Sequence, residues 1–451
     1  MQFKSIKILG FVALAVIQAN NSQAQQKNAV PMSATKPVPP VVNFSAVGGT
    51  GWAKSSVNAA IFRTNSVITH GNTQYVAFYD GVGNVVLGKR NVGSPDWELR
   101  TTQYKGEAKD AHNSISLGID GKGILHMVWD LHNQKLRYVR STAPDSLELT
   151  EEMPMTGDKE TRVTYPQFYS LPDGDLLFLY RDGSSGNGNA MLNRYDVETG
   201  KWESVAHPLV AGGGQRNPYL NTLAIDSKGG IHLSWCWRDT PDVATNHDVC
   251  YAFSPDQGKT WQKSTGEKYQ LPITIDNAEV AFPVAKNSEF INQTSMTVDA
   301  NDQPMIATYW RDQNSEVPQF RLVWNDGTQW QSSQVGARTQ GFRLSGGGTK
   351  RIPISRPLVI AGKRNEVYVV FRDEERGNGI SVALSKDAAH KNWIVTDLVT
   401  DMVGAWEPTY DPAIWQRDNT LNLFVQRVGQ GDAETLENVP PQEVSILEWT
   451  P

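Results

Sequence analysis

The sequence predicts an all-β fold: a seven-bladed β-propeller with four antiparallel strands per blade and a ring closed by its N- and C-terminal strands. Three observations predict it. One hairpin pattern recurs seven times, an S-x-D-x-G-x-T-W turn stands between two of the strands, and helical periodicity is essentially absent.

Each copy of the hairpin runs from a Gly, Asn or Asp turn through alternating apolar residues to an aromatic and then an Arg or Asp, as in D-G-K-G-I-L-H-M-V-W-D over residues 120–130. The exits fall at Asp80, Asp130, Arg181, Arg238, Arg311, Arg372 and Arg427, at intervals of 50 to 73 residues. A four-stranded unit repeated about every 40–50 residues is the mark of a propeller blade, and the longer interval leaves room for loops. The full turn motif lies at Ser254 to Trp261, with degenerate versions ending at Trp97, Trp202, Trp330 and Trp393. It is a folding device and carries no chemistry. Residues 443–449 form one more strand, expected to pair with blade one and close the ring, which removes open sheet edges.

The bulk numbers bound the function. The chain has 451 residues and a net charge of −6, so no basic field points to nucleic acid. Residues 1–24 have the form of a signal peptide: Lys4 and Lys7, an apolar run over 8–17, and Ser22-Gln23-Ala24 at the cleavage site. That run is too short to span a bilayer. Residues 25–40 are a Pro-rich, flexible N-terminal segment, and 41–451 hold the propeller as a catalytic domain. The expected product is a secreted monomer, extracellular or periplasmic, without a membrane span.

In a propeller, the loops into strand one and out of strand two open on one face. Asn65, His112, Tyr165, Asn217, Asn292, Arg356 and Asp411 stand at the first position; Asp80, Asp130 with His132, and the five exit arginines stand at the second. Guanidinium groups read carboxylates and sulfates through paired donors, so an anionic polymer is the expected partner of this face. Arg238, Arg311 and Arg372 each precede an Asp, which marks part of this set as structural pairs. His112, His132, Tyr165 and Arg181 come from adjacent blades two and three. A His and a Tyr across a site can exchange protons, and an Arg can stabilise an enolate formed α to a carboxylate. That set suits β-elimination from a uronic acid. His126 and His232 lie within apolar strands and read as core histidines.

Cys236 and Cys250 lie on two β runs flanking a loop. A disulfide and a structural zinc site with His247 and a distant ligand such as His207 both remain open, and the spacing matches no standard zinc pattern.

The blocks DAHNSISLGIDGKGILHMVWD, YPQFYSLPDGDLLFLYRDGSSGNGN and NPYLNTLAIDSKGGIHLSWCWRD resemble the BNR-4 repeat proteins, and more narrowly the ulvan lyases of polysaccharide lyase family 25. The resemblance implies a secreted lyase that cuts between 3-sulfated rhamnose and a uronate, leaving a 4,5-unsaturated uronate, without a catalytic cofactor. It implies His112 and Tyr165 as catalytic residues, Arg181 as the carboxylate partner and His132 as a second site histidine; to these we add Arg238 as a further carboxylate or sulfate contact. It also implies a structural metal at Cys236, His247 and Cys250, so zinc and disulfide both stay open. The competing classes are a sialidase-like or rhamnosidase glycoside hydrolase, which needs a carboxylate pair or a Tyr–Glu couple at the channel mouth, and a non-catalytic propeller that binds anionic polysaccharide.

Overall fold

Runs of four to ten apolar-rich residues between Gly, Asn and Asp turns cannot bury two faces alone, so they stack as twisted antiparallel sheets around an axis. The computed structural model describes residues 40–451, where strands form seven sheets. The signal peptide, and all but the last residue of the Pro-rich segment, lie outside the described residues. Among those residues, no helix is long and apolar enough to cross a membrane.

Blade one is four-stranded, from Val67–His70 to Glu98–Lys105; blades five and six repeat the pattern from Ser295–Val298 and Leu358–Ala361. Most innermost strands are only four residues long and almost wholly buried, because they line a narrow channel. Apolar clusters fill the gaps between blades: Leu179 of blade three packs in one cluster with Leu233 of blade four. Near the axis the blades are stitched by buried polar groups. The Asn65 amide donates to Leu117 O and Phe168 O, tying blades one, two and three, and Ser295 Oγ donates to Pro357 O between five and six. Buried polar groups persist where such partners exist.

The turn motif folds as expected. Thr260 N donates to Asp256 (2.7 Å), Gly258 N to Ser254 Oγ (2.7 Å), and Trp261 Nε1 closes on Gly258 O (3.0 Å). Blades two and four share a second device. His126 bonds Tyr138 (2.7 Å) and Asp120 (3.4 Å), and His232 bonds Tyr251 (2.7 Å) and Asp226 (3.3 Å). Both imidazoles are buried, which pulls their pKa values down and keeps the rings neutral brackets between strands.

The N- and C-terminal strands close the ring as expected, with one difference in pairing. The C-terminal strand Gln442–Trp449 does not pair with blade one. It lies between Leu421–Val425 and the N-terminal strand Val42–Gly51, all within blade seven. The innermost strand of that blade shrinks to a bridge between Tyr410 and Leu423, because Pro412–Asp418 turns into a helix. Asp411, expected at the channel mouth, caps that helix instead. It accepts from Ala413 N and Ile414 N, and from Thr69 and Gln74 of blade one.

Val444, Ile446 and Leu447 are each 0% exposed, so the closing strand is core as well as seam. Ile446→Ala is expected to cost about 3 kcal/mol, read as a lower denaturant midpoint at unchanged slope. Deleting residues 442–451 should abolish the cooperative transition.

Candidate active site

At the channel mouth, a cavity of about 180 Å³ is lined by His112, His132, Tyr165, Arg181 and Arg238. All five residues singled out as catalytic or substrate-binding meet there, although they come from three blades. Local chain geometry explains how. His112 sits in the turn before the first strand of blade two. His132 begins a short strand, His132–Gln134, that leaves blade two and pairs with Val163–Ser170 of blade three, opposite Thr164. Tyr165 lies where the register of that strand shifts, with φ of 54° immediately before Pro166. A left-handed aromatic costs about 1–3 kcal/mol, and here the bulge turns the ring into the cavity. Arg181 pairs with Thr164 across the same sheet. Its side chain lies against Gly188, where a Cβ would sit 3.0 Å from Arg181 Cδ and collide with the Asn217 amide oxygen.

One carboxylate organises the histidines. Asp110 accepts from His112 Nδ1 (2.7 Å) through one oxygen and from His132 Nδ1 (2.6 Å) through the other. The two rings stack at 4.0 Å and 17°. Glu434 Oε1 lies 3.3 Å from His112 Nδ1. Burial pulls His112 down, but the bonds to Asp110 and Glu434 and their charges outweigh it, and its pKa is pushed up to about 9. Burial wins at His132, assisted by the charge on His112, and its pKa falls. At neutral pH the pair therefore carries one charge, on His112. Both δ nitrogens are committed to Asp110, so the ε nitrogens are free for chemistry. This is the one group of three His, Cys or carboxylate side chains among the described residues close enough to share an ion. The short contacts make it a hydrogen-bonded network.

Opposite the histidines stands a cationic wall. Arg181 is 2% exposed, bonds Gly183 O through Nε, and has no partner for either Nη. Its guanidinium lies 4.8 Å from the Tyr165 ring centroid and 5.8 Å from that of Tyr219. Arg238 donates to Tyr219 OH (3.1 Å), Asn246 and Asn292. Burial pushes Tyr165 well up, so its hydroxyl keeps its proton. Tyr219 moves the other way: Arg238 and Arg181 overcome its burial and lower it. Arg356 also lines the cavity but is neutralised by Glu407 (3.0 Å).

Several expected contributions lie elsewhere. Arg311 is tied to Glu289 (2.5 Å), and Arg372 donates to the carbonyls of Trp406, Pro353 and Ile352. Neither uses the Asp that follows it. Asp80 is held by its own turn, and Asp130 by Arg137 (2.8 Å).

The cysteine site is not assembled. Cys236 pairs with Val249 and Cys250 with Trp235, so the thiols point to opposite faces of one sheet and enter different apolar clusters. Both are free, and burial pushes Cys236 up to about 12 and Cys250 well above the ordinary thiol value. That register permits neither the disulfide nor a shared ion. His207 bonds Asn193 (2.6 Å) on blade three, and His247 is taken by Asp248 (2.9 Å) and Asp239 (3.4 Å).

The BNR repeat-containing family matches residues 73–338, more than half of the chain. This chain is a member of that family. Within it, the chain is 25% identical to an Alteromonas (strain LOR) ulvan lyase, long isoform, over 304 residues, 54% of this chain and 30% of the other. It is 29% identical to an ulvan lyase, short isoform, of the same strain over 312 residues, covering 53% and 58%. The chain thus spans under a third of the long relative and little over half of the short one. Among solved structures it resembles the polysaccharide lyase Uly1, with a TM-score of 0.65 and 16% identity over 92% of this chain and 100% of the other. It resembles equally a PL25 ulvan lyase bound to glucuronic acid and 3-sulfated rhamnose, with a TM-score of 0.65 and 14% identity over 90% and 95%. These likenesses bear out the propeller in this BNR family member.

Sequence reasoning missed Asp110, Tyr219 and Glu434. Asp110 stands two residues before His112, and Tyr219 two after Asn217, so each was within reach of a closer look at its repeat. Glu434 follows the last exit by seven residues, in irregular chain without a periodic signal.

One phenol here is expected to ionise early. In a spectroscopic titration of phenolate absorbance, one tyrosine should titrate below the ordinary value of about 10. Tyr219→Phe should remove that phase, and Arg238→Met should move it upward.

Proposed function

We propose that this protein is a polysaccharide lyase that cleaves ulvan, a sulfated rhamnose–uronate polymer, by β-elimination at the uronate, and that the leader at residues 1–24 exports it. The observation that carries this reading is Arg181, a buried guanidinium with both Nη atoms unpartnered, facing a cavity that also holds two imidazoles and two phenols. An unpaired buried charge is costly, and a uronate carboxylate would satisfy it with two parallel bonds. The ulvan lyases among the relatives point to the same substrate.

The chemistry follows from the resting charges. Elimination removes the proton from C5, forms the C4–C5 double bond and breaks the C4–O bond, with the leaving oxygen taking a proton. Binding the carboxylate to Arg181 acidifies C5–H, and the charged His112 beside it adds to the stabilisation of the enolate. His132, neutral with Nδ1–H bound to Asp110, presents a basic Nε2. Tyr165 keeps its proton and can deliver it to the leaving oxygen. Charged His112 is then a donor and electrostatic partner, and His132 supplies the base. A hydrolase reading loses its carboxylate pair, since Asp80, Asp130 and Asp411 are all committed away from the cavity.

Incubation with ulvan is expected to generate the ultraviolet absorbance of a conjugated uronate. New reducing ends without that absorbance would sink the lyase reading. His112→Ala and Tyr165→Phe should each lower kcat by at least about 100-fold while polymer binding persists. A non-catalytic binding propeller would show no turnover to lose. The active form needs His112 charged, so turnover should hold through neutral pH and fall as pH rises through about 9, read from the pH profile of kcat.

A further inference from the structure

We propose that Glu434 is a positioning residue that assigns the charge of the stacked histidine pair to His112, so that the turn within blade seven completes the active site. The inference rests on the lyase reading for its kinetic consequence, but not for its geometry.

Asp110 alone cannot choose between the two rings. It offers one oxygen to each ring, at 2.7 and 2.6 Å, and the oxygen facing His112 is shared with the His112 backbone N–H (2.9 Å). Rings stacked at 4.0 Å will not both stay charged, because like charges that close repel strongly. Glu434 breaks the symmetry: its carboxylate reaches His112 Nδ1 at 3.3 Å, and no contact joins it to His132. The resting pKa values follow that asymmetry, up to about 9 at His112 and down at His132.

Of the other groups facing the pair, only Arg181 adds to this bias, through space, since its charge helps to lower His132. Tyr165, Tyr219, Arg181, Arg238 and Lys350 line the same cavity, and none is hydrogen-bonded to either imidazole. Arg356 is answered by Glu407 (3.0 Å), and Lys350 lies 3.7 Å from Asp432.

Glu434 is also held in place at a cost. It and Ala433 have φ of 65° and 53°, a left-handed conformation that side-chain-bearing residues avoid and that persists only when surroundings over-determine it. Here they do. Thr349 N donates to Glu434 Oε1 (2.6 Å), Ala111 N to Oε2 (3.3 Å) and Ala433 N to Thr349 O (2.8 Å). Three separate pieces of chain thus converge on His112: the turn into blade two, the loop between blades five and six, and the turn after the second strand of blade seven.

The test labels the histidines, eight in the chain, with nitrogen-15 and follows imidazole titration by NMR in the full-length protein. In the unmodified protein His112 is expected to be charged and His132 neutral at neutral pH. Glu434→Gln keeps the shape and removes the charge. Its His112 midpoint should fall by roughly one pH unit or more, and that of His132 should rise. On ulvan, kcat should fall about tenfold with KM little changed, and the alkaline limb of the profile should move down. Glu434→Asp should recover part of both effects, which a purely structural role would not produce. Unchanged midpoints in a folded Glu434→Gln protein would overturn the proposal, as would a charged His132 in the parent. The titration needs no substrate, so failure to degrade ulvan would refute the lyase reading and leave this inference to be judged on the midpoints.

Discussion

The antiparallel seam between Val42–Gly51 and Gln442–Trp449 is the constraint on which the rest depends. A propeller has no hinge to absorb an open seam, since each blade is wedged by its two neighbours. The candidate site draws on blades two, three and four, on the loop between five and six and on the turn within blade seven. No two consecutive blades could assemble it alone. The distances at His112, set by residues more than 300 positions apart, exist only once the ring is shut.

Within that ring, the site separates charge by sign and by depth. Arg181 stands unpaired and buried, Arg238 is satisfied by neutral amides and a phenol, and Arg356 is cancelled by Glu407. Of the three guanidiniums at the mouth, one is therefore kept hungry for an anion while the others shape and polarise the wall. The carboxylates are placed behind the imidazoles, where they hold protons instead of repelling an anionic polymer.

Much of this was legible in the sequence, for physical reasons. Period-two apolar runs closed by an aromatic and an Arg or Asp identify the second strand of each blade, because that strand is buried on both faces and must then return to solvent. Counting the runs places His112, His132, Tyr165, Arg181 and Arg238 on one face before any coordinates exist. What escaped was anything depending on register or on irregular chain. A single-residue offset separates Cys236 from Cys250 and sends their thiols to opposite faces. Asp411 looked like a mouth residue because it follows the repeat, but Pro412 starts a helix there and makes it a cap. Glu434 belongs to no repeat. The charge state of His112 could not be read at all, since it depends on two carboxylates of which one is remote.

The paired brackets of blades two and four have a consequence for where the molecule can work. His126 and His232 are held neutral, with folded pKa values below those of the unfolded chain. Their contribution to stability is present above about 6.5 and drains away as pH falls below it. His112 has the opposite sign: its folded value is raised, so its contribution is complete below about 6.5 and is lost as pH rises through about 9. The scaffold histidines thus guard the acid boundary and the site histidine the alkaline one.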